Sequence, residues 1–216
     1  MQPLIRSIFF TTLIAIAALC SACMPTAEDP PQSDALRSES NQTHHFRPVD
    51  FRHPEWVIHA FGKNLTLKGA EERIKASPRQ NAVIIRRQGV IVGKIESTQP
   101  QQARFVAQND ADISPLFLYC TSNSATLNLS GQVIRVFKHP NNTVTFGNME
   151  IRKLPEKNAY SVVKRSRSGE ACEGHALEMP FNTLGSAIFL IDAIPLYQRM
   201  GMATFVSKTP FTCFTD

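Results

Sequence analysis

The chain has 216 residues, of which 43% are hydrophobic and 19% are charged, and this composition excludes an intrinsically disordered chain. The length accommodates one domain of ordinary size or two very small ones. Residues 47–216 hold 21 Lys/Arg against 14 Asp/Glu, a net charge of +7. A basic body of this kind favours anionic partners such as lipid head groups, anionic polysaccharides or acidic proteins.

The N-terminal segment has the layout of an export signal. Met1 to Arg6 is short and ends in a positive charge, and residues 8–20 form a largely apolar run. A membrane-spanning helix requires about 20 apolar residues, whereas this run has the length of a secretory signal. Ser21 and Ala22 then supply the small residues that cleavage requires. Export argues against nucleic acid as the partner.

The stretch L-C-S-A-C at the end of this segment resembles the lipobox of bacterial lipoproteins, in which small residues precede an invariant cysteine. The resemblance covers residues 1–23 alone, and Cys20 stands where a lipobox usually has an aliphatic residue. It implies a signal peptide of residues 1–22 and a lipidated Cys23, whose several acyl chains would hold the protein stably in a membrane. In lipoproteins of enteric-type bacteria, an aspartate directly after the lipidated cysteine commonly retains the protein at the inner membrane. This chain has Met24 at that position, so the resemblance implies the outer membrane. Plain cleavage before Cys23, which releases a soluble protein, is the alternative.

The mass of the mature protein distinguishes lipidation from plain cleavage. We expect Cys23 to carry the added mass of a diacylglycerol group and one acyl chain, and Cys23→Ser to abolish both that mass and attachment to the membrane. Intact-mass spectrometry of the membrane fraction measures both effects. A mature chain that begins with an unmodified Cys23 would contradict the expectation.

Residues 23–46 are predicted to form a disordered tether. They include three prolines and many small polar residues, and Met24 and Leu36 are their only large apolar residues before position 46. Such a segment buries too little apolar surface to offset the entropy of ordering. A coil of about 22 residues has an r.m.s. span of about 25 Å, so the body would sample the volume near the membrane surface. His44 and His45 are interpreted as polar linker residues.

The body, residues 47–216, is predicted to be one mainly β domain. Short β-branched or aromatic runs recur at spacings of about 10 residues with turn residues between them, which is typical of an antiparallel sandwich or a barrel-like sheet. The period-two alternation of T-L-N-L-S at 126–130 is the clearest strand pattern. In chain order the candidate strands are Trp56–Phe61 and residues 82–85, 90–95, 103–107, 115–121, 126–130, 133–138, 143–146, 149–153, 160–163 and 203–207.

Two segments are predicted to form short helices. Residues 69–77 (G-A-E-E-R-I-K-A-S) are rich in helix-forming residues and predict an exposed helix. Residues 182–193 have Asn182 or Thr183 as a candidate N-cap. Gly185 and the apolar character of this second segment leave a buried strand as the alternative.

Three cysteines remain in the body if Cys20 is removed with the signal and Cys23 is lipidated. An oxidising compartment favours one disulfide, and three cysteines allow three single pairings. Cys172–Cys213 is the preferred pairing, because Cys172 lies in the polar stretch G-E-A-C-E-G and the bond would pin the C-terminal segment across a loop of about 40 residues. Pairings through Cys120 stay open.

The sequence contains no recognisable catalytic or cofactor motif. A G-x-S-x-G elbow, a phosphate-binding glycine loop and a dinucleotide fingerprint are all missing. Cys172 and His175 offer two metal ligands where a zinc site needs three or four. A Cys120 thiol acting with a distant histidine has no local signature. No metal and no cofactor are predicted, and enzyme activity stays undecided, with a non-enzymatic role favoured.

A run of bases is the most distinctive polar feature of the body. Lys164, Arg165 and Arg167 lie in the stretch K-R-S-R-S, and Arg86 and Arg87 lie at a proposed hairpin tip. These five side chains are predicted to contact an anionic partner. The alternative is that they are solvated bases that discourage pairing of edge strands.

Taken together, these patterns predict a lipid-anchored protein of the bacterial cell envelope whose β-rich body binds or inhibits a protein partner, in the periplasm or at the cell surface. The alternatives are an envelope hydrolase whose site is assembled only in three dimensions, and a module that binds peptidoglycan or lipopolysaccharide. An exposed aromatic face would favour the first function, a pocket of His with acid or Cys the second, and a basic groove the third.

Overall fold

The structure, a computed structural model, describes residues 49–53, 55–108, 114–155 and 158–214. Within these ranges it has fourteen strands and two helices. The strands are β1 (Val49–His53), β2 (Trp56–Phe61), β3 (Asn64–Gly69), β4 (Arg73–Pro78), β5 (Ala82–Arg87), β6 (Val90–Gln99), β7 (Gln102–Ala107), β8 (Leu116–Cys120), β9 (Ser124–Leu129), β10 (Gln132–Lys138), β11 (Thr143–Phe146), β12 (Met149–Lys153), β13 (Ala159–Arg165) and β14 (Ala171–Glu178). The helices are α1 (Thr183–Phe189) and α2 (Leu196–Lys208).

The fourteen strands form a single antiparallel sheet in which each strand pairs with the next one in sequence. Strands β1 and β14, at the two ends of this order, approach each other, so the sheet curls into a nearly closed barrel. This arrangement confirms the prediction of a mainly β, antiparallel domain with one or two short helices, and of the two predicted architectures it is the barrel-like sheet rather than the sandwich.

Because successive strands are antiparallel, their turns alternate between the two ends of the barrel. The turns that follow even-numbered strands lie at one end, here called the mouth; Lys63, Arg79 and Asn123 belong to them. The turns that follow odd-numbered strands lie at the other end, here called the base; Gln88 and Ser166 belong to them.

Side chains alternate between the inside and the outside of the barrel along each strand. Leu65 and Leu67 of β3 are completely buried, and so are Leu116 and Leu118 of β8. Their neighbours in sequence point outward, as the period of two in a strand requires. The inner face of the sheet is therefore an apolar wall.

Both helices lie against this inner wall. All residues of α1 from Leu184 to Phe189 are buried, and α2 is buried without interruption from Met200 to Val206. Helix α1 packs against β11 and β12, whereas α2 packs against β4, β5 and β6. A helix that is buried around its circumference needs apolar neighbours on every side, and the barrel interior supplies them.

Helix α1 begins where the sequence predicts. Asn182 is its N-cap, and the side-chain Oδ1 accepts a hydrogen bond from the Gly185 amide at 2.7 Å. The Nδ2 of the same asparagine donates to the Val206 carbonyl at 2.8 Å, and its backbone amide donates to the Ser207 Oγ at 3.0 Å. Asn182 thus joins the start of α1 to the end of α2.

Tyr160 connects the wall of the barrel to the segment that enters its interior. Its side chain is buried in β13, and the hydroxyl donates a hydrogen bond to the Phe181 carbonyl. Burial raises the pKa of Tyr160, because the phenolate form would lose its hydration. The neutral hydroxyl therefore fixes the point at which the chain leaves the sheet and leads into α1.

Two of the predicted elements are wrong. Residues 69–77 do not form a helix: Gly69 ends β3, and β4 follows, in which exposed Arg73 and Lys75 alternate with buried Ile74 and Ala76. Pairing with β3 and β5 outweighs the helix propensity of these residues. Residues 203–207, predicted as a strand, lie in α2, because burial on all sides removes the 3.6-residue pattern that identifies a helix.

The two helices cross closely at Gly185. A Cβ atom added at this position would lie 2.8 Å from the Ala203 carbonyl oxygen of α2 and would also overlap the Ser207 hydroxyl. Real Cβ atoms do not approach other atoms this closely. Glycine is therefore required for the contact between α1 and α2. This requirement explains why Gly185 lies inside α1, although glycine lowers the stability of a helix.

Gly185→Ala tests this packing. We expect it to lower the free energy of unfolding by about 1–3 kcal/mol, since the Ala203 carbonyl belongs to the backbone and cannot move aside. Urea unfolding followed by circular dichroism measures the change. Gly174→Ala in β14 is the control: its Cβ would lie 3.7 Å from Val163 Cγ2, and we expect equal stability or a gain of up to about 1 kcal/mol. A Gly185→Ala protein as stable as the wild type would contradict the close crossing.

Candidate functional site

The five basic residues that the sequence selects all lie near one end of the barrel, the end defined above as its base. Arg86 and Arg87 end β5, Lys164 and Arg165 end β13, and Arg167 lies in the turn after β13. Seven strands separate β5 from β13 in the order of the sheet, so the two groups are not one patch.

Two of these bases already have acidic partners. Arg87 forms an ion pair with Glu72, and Arg165 forms one with Glu150, with Nη2 and Oε2 2.6 Å apart. Arg165 also donates to the Gly169 carbonyl at 3.1 Å, which ties it to its own turn. These contacts supply a structural role for both arginines, and binding of an anion at these positions stays a prediction.

The structure contains a disulfide between Cys120 and Cys213, whose Cα atoms are 5.3 Å apart. It corrects the preferred pairing of Cys172 with Cys213 and agrees with the alternative through Cys120. The topology gives the reason: β8 ends in Cys120 at the mouth, and α2 delivers Cys213 to the same end. Cys172 lies in β14 rather than in a loop, next to the turn at the base, at the far end of the barrel.

The catalytic alternatives find little support in the geometry. Cys120 is bonded to Cys213 and therefore presents no thiol to a histidine. In the described part of the chain, no three His, Cys, Asp or Glu side chains come together in a way that could hold a metal ion. Neither described helix is long and apolar enough to cross a membrane.

The outer wall of the barrel carries an exposed apolar cluster on β8 and β10. Tyr119 is 43% exposed, Val133 is 53% exposed and Phe137 is 45% exposed. Phe117 lies beside Tyr119 with nearly parallel rings and a centroid distance of 6.4 Å. Together with Arg135, which points outward between Val133 and Phe137, these residues are here called the aromatic face.

The register of the strands places the aromatic face in three rows. Asn128 of β9 stands between Phe117 and Val133, and Thr126 stands between Tyr119 and Arg135. In the third row Ser124 stands opposite Phe137. Strand spacings of about 4.8 Å and a two-residue repeat of about 6.8 Å make the face about 10 Å wide and 14 Å long. Large apolar side chains thus flank a central line of hydrogen-bonding side chains.

Charge around the aromatic face is predominantly positive. Arg104, opposite Phe117 on β7, is paired with Glu96, and Lys94 contacts the same carboxylate at 2.6 Å. The hydrogen bond from Lys94 is the largest of the effects that lower the pKa of Glu96, which stays ionised. Arg135 has no ion-pair partner in the described ranges, so it leaves a positive charge in the middle of the face.

No family model matches the chain, and it has no significant similarity to a curated protein or to a solved structure. Its function therefore has to be argued from the site itself, because a fold alone does not define an activity.

The N-terminal predictions lie outside the described residues. They are the signal peptide of residues 1–22, the lipidated Cys23, the tether of residues 23–46 and the pair His44 and His45. All of them stay predictions.

Sequence reasoning missed the aromatic face, although a signal for it exists. The strand L-F-L-Y-C of β8 is apolar or aromatic at every position, and V-I-R-V-F in β10 is apolar at all but Arg135. A strand with only one buried face alternates apolar and polar residues. A strand without polar positions in a sheet that has water on one side therefore indicates an apolar outer surface.

Removal of the disulfide is expected to destabilise the barrel. Because 93 residues separate Cys120 from Cys213, we expect the double variant Cys120→Ser, Cys213→Ser to lose about 2–5 kcal/mol of unfolding free energy. Urea unfolding with and without reductant measures the loss. Cys172→Ser is the matched control. Reductant should lower the unfolding free energy of this variant, as it does for the wild type, and should leave that of the double variant unchanged. A non-reducing digest that joins Cys172 to Cys213 would rule out the observed pairing.

Proposed function

We propose that this chain is a lipid-anchored protein of the bacterial cell envelope whose barrel binds a protein partner through the aromatic face, without catalysing a reaction. The observation that supports the proposal is the adjacency of Phe117, Tyr119, Val133 and Phe137 on the outer wall. These side chains adjoin one another, whereas apolar residues scattered singly over a protein surface are ordinary, and contiguous exposed apolar patches are a feature of binding surfaces. Tyr and Arg are enriched among the residues that contribute most to binding between proteins, and Phe is enriched at protein interfaces.

The filled interior supports binding on the outside of the barrel. The helices and the inward side chains form one continuous apolar core, which includes Phe205, Met200 and Ile188. The barrel interior is therefore a packed core, and a large partner has to bind at the surface.

The polar side chains of β9 favour a protein over a lipid surface as the partner. Ser124, Thr126 and Asn128 of β9 lie between the outward side chains of β8 and those of β10 and are half-buried. The Ser124 hydroxyl already bonds to the Thr121 hydroxyl and the Asn128 Oδ1 accepts from the Gly131 amide, so the Thr126 hydroxyl and the Asn128 Nδ2 are the groups that a partner would contact. Hydroxyl and amide groups form directional hydrogen bonds, which a polypeptide satisfies and acyl chains do not. Strand-borne side chains are also held rigidly, so little conformational entropy is lost on binding.

The charge of the face specifies the partner further. Arg135 lies beside Thr126, and Lys138 follows Phe137 at the mouth with its ammonium 5.9 Å from the Phe214 ring centroid. A partner with an apolar groove that carries carboxylates would complement Arg135. The proposed partner is therefore an acidic protein of the envelope, held within reach by the predicted tether.

Photo-crosslinking in intact cells tests the proposal. A photoreactive phenylalanine at position 119 should form one major adduct with an envelope protein, whereas the same group at position 90 should not. Val90 is the control because it is 64% exposed and lies on β6, away from the aromatic face. An adduct made of lipid only, or equal adducts from both positions, would overturn the proposal.

Substitutions then test whether the partner binds through this face. We expect Tyr119→Ser with Phe137→Ser to weaken binding by at least about tenfold, since buried aromatic residues at interface centres each contribute more than 1 kcal/mol. Arg135→Glu, made as a separate variant, should also weaken binding of the partner. Added salt should then strengthen the binding of this variant, whereas it should weaken the binding of the wild type. Val90→Ser should leave the affinity unchanged. Titration of the purified partner, followed by fluorescence anisotropy, measures all four proteins, and equal affinities would contradict the assignment.

A further inference from the structure

A groove of about 1010 Å³ opens at the mouth, where the C-terminal end of α2 meets two hairpin turns. Lys63 comes from the β2–β3 turn, Arg79 from the β4–β5 turn and Lys208 from the last turn of α2. The register of β3 with β4 brings Lys63 next to Pro78, and packing of α2 on β4 brings in Lys208. Three segments distant in sequence therefore each contribute a base to one groove.

Among the described residues, no carboxylate lines this groove. Besides the three bases, its lining consists of prolines, hydroxyl residues and the amides Gln80 and Asn81. Within the described ranges, none of the three bases forms an ion pair. This contrasts with Arg87, Arg104 and Arg165 on the outer wall, each of which has an acidic partner.

Lys208 is the least solvated of these bases. Its side chain is partly buried at the end of α2, and burial lowers the pKa of Lys208 because the ammonium loses hydration. The carbonyls at the C-terminal end of the helix favour a cation there, and a bound anion would add the missing counter-charge. An anion bound beside Lys208 would therefore stabilise the charged form of its partly buried side chain.

We propose that this groove binds a phosphate-bearing ligand. Three positive charges match a phosphate monoester, which carries up to two negative charges, better than a single carboxylate. The planar guanidinium of Arg79 suits two phosphate oxygens at once, and lysine ammonium groups bind phosphate as point charges. Gln80 and Asn81 supply amide N–H groups that can donate to the remaining oxygens.

A second groove of about 580 Å³ adjoins the first and shares Asn81, Thr209 and Pro210 with it. Its lining includes Pro100, Pro210 and the half-buried Phe211, with the fully buried Phe205 beneath. A phosphate in the basic groove could therefore carry an apolar group that extends over Phe211 and the two prolines. Free phosphate and the phosphate head group of a lipid would bind the three basic side chains through the same interactions. Only the lipid also has an apolar part that can occupy the second groove.

Titration of the mature protein in nonionic detergent micelles tests the proposal. The probes are inorganic phosphate, pyrophosphate and dihexanoyl phosphatidic acid below its critical micelle concentration, with dihexanoyl phosphatidylcholine as the zwitterionic control. We expect binding of pyrophosphate and phosphatidic acid by isothermal calorimetry, and no binding of phosphatidylcholine. Tighter binding of phosphatidic acid than of pyrophosphate identifies a lipid head group, and the reverse identifies a soluble phosphate.

Variants localise the binding. Lys208→Gln and Arg79→Gln should each weaken the binding of pyrophosphate and phosphatidic acid by at least about tenfold, because each removes a charge-assisted hydrogen bond. Lys75→Gln, on the exposed outer face of β4, removes the same charge outside the groove and should change little. Tyr119→Ser should bind phosphate normally, which separates this site from the aromatic face. Absence of binding by every phosphate probe, or equal loss in Lys75→Gln, would overturn the proposal.

Discussion

A sheet of fourteen strands encloses more space than its own side chains can fill, and this constraint governs the rest of the molecule. About eight strands give a barrel whose inward side chains just meet at the centre, whereas wider barrels need other contents. Here α1 and α2 are those contents. The demand for close packing explains why α2 lacks a polar face and why Gly185 has no side chain at the crossing of the two helices.

The local pattern of the strands was readable from the sequence, and the packing of the helices was not. Leu127 and Leu129 alternate with polar residues, so β9 could be recognised from its own residues. Phe205 and Val206 belong to a helix surrounded by apolar walls, which has no amphipathic period and resembles a buried strand. Ile74 and Ala76 were overlooked because the neighbouring Glu and Lys residues favour a helix until β3 and β5 pair with the segment.

The candidate sites were hidden for the same reason: each one combines segments that only the fold brings together. The aromatic face needs the register of β8, β9 and β10. The basic groove needs two turns and the end of α2, with Lys63 and Lys208 far apart in the chain. Runs of bases such as K-R-S-R-S attract notice in a sequence, yet Arg165 in that run is held by Glu150.

The position of the helices in the chain affects how the protein reaches its native state. The fourteen described strands precede α1 and α2, so the inner wall has no covering until residues 183–208 pack against it. The meander needs mainly local pairing, but α2 has to find β4 and β5 more than 100 residues back. Folding of the barrel should consequently depend on that late, long-range step, and the period before it is when the inner wall is most open to aggregation.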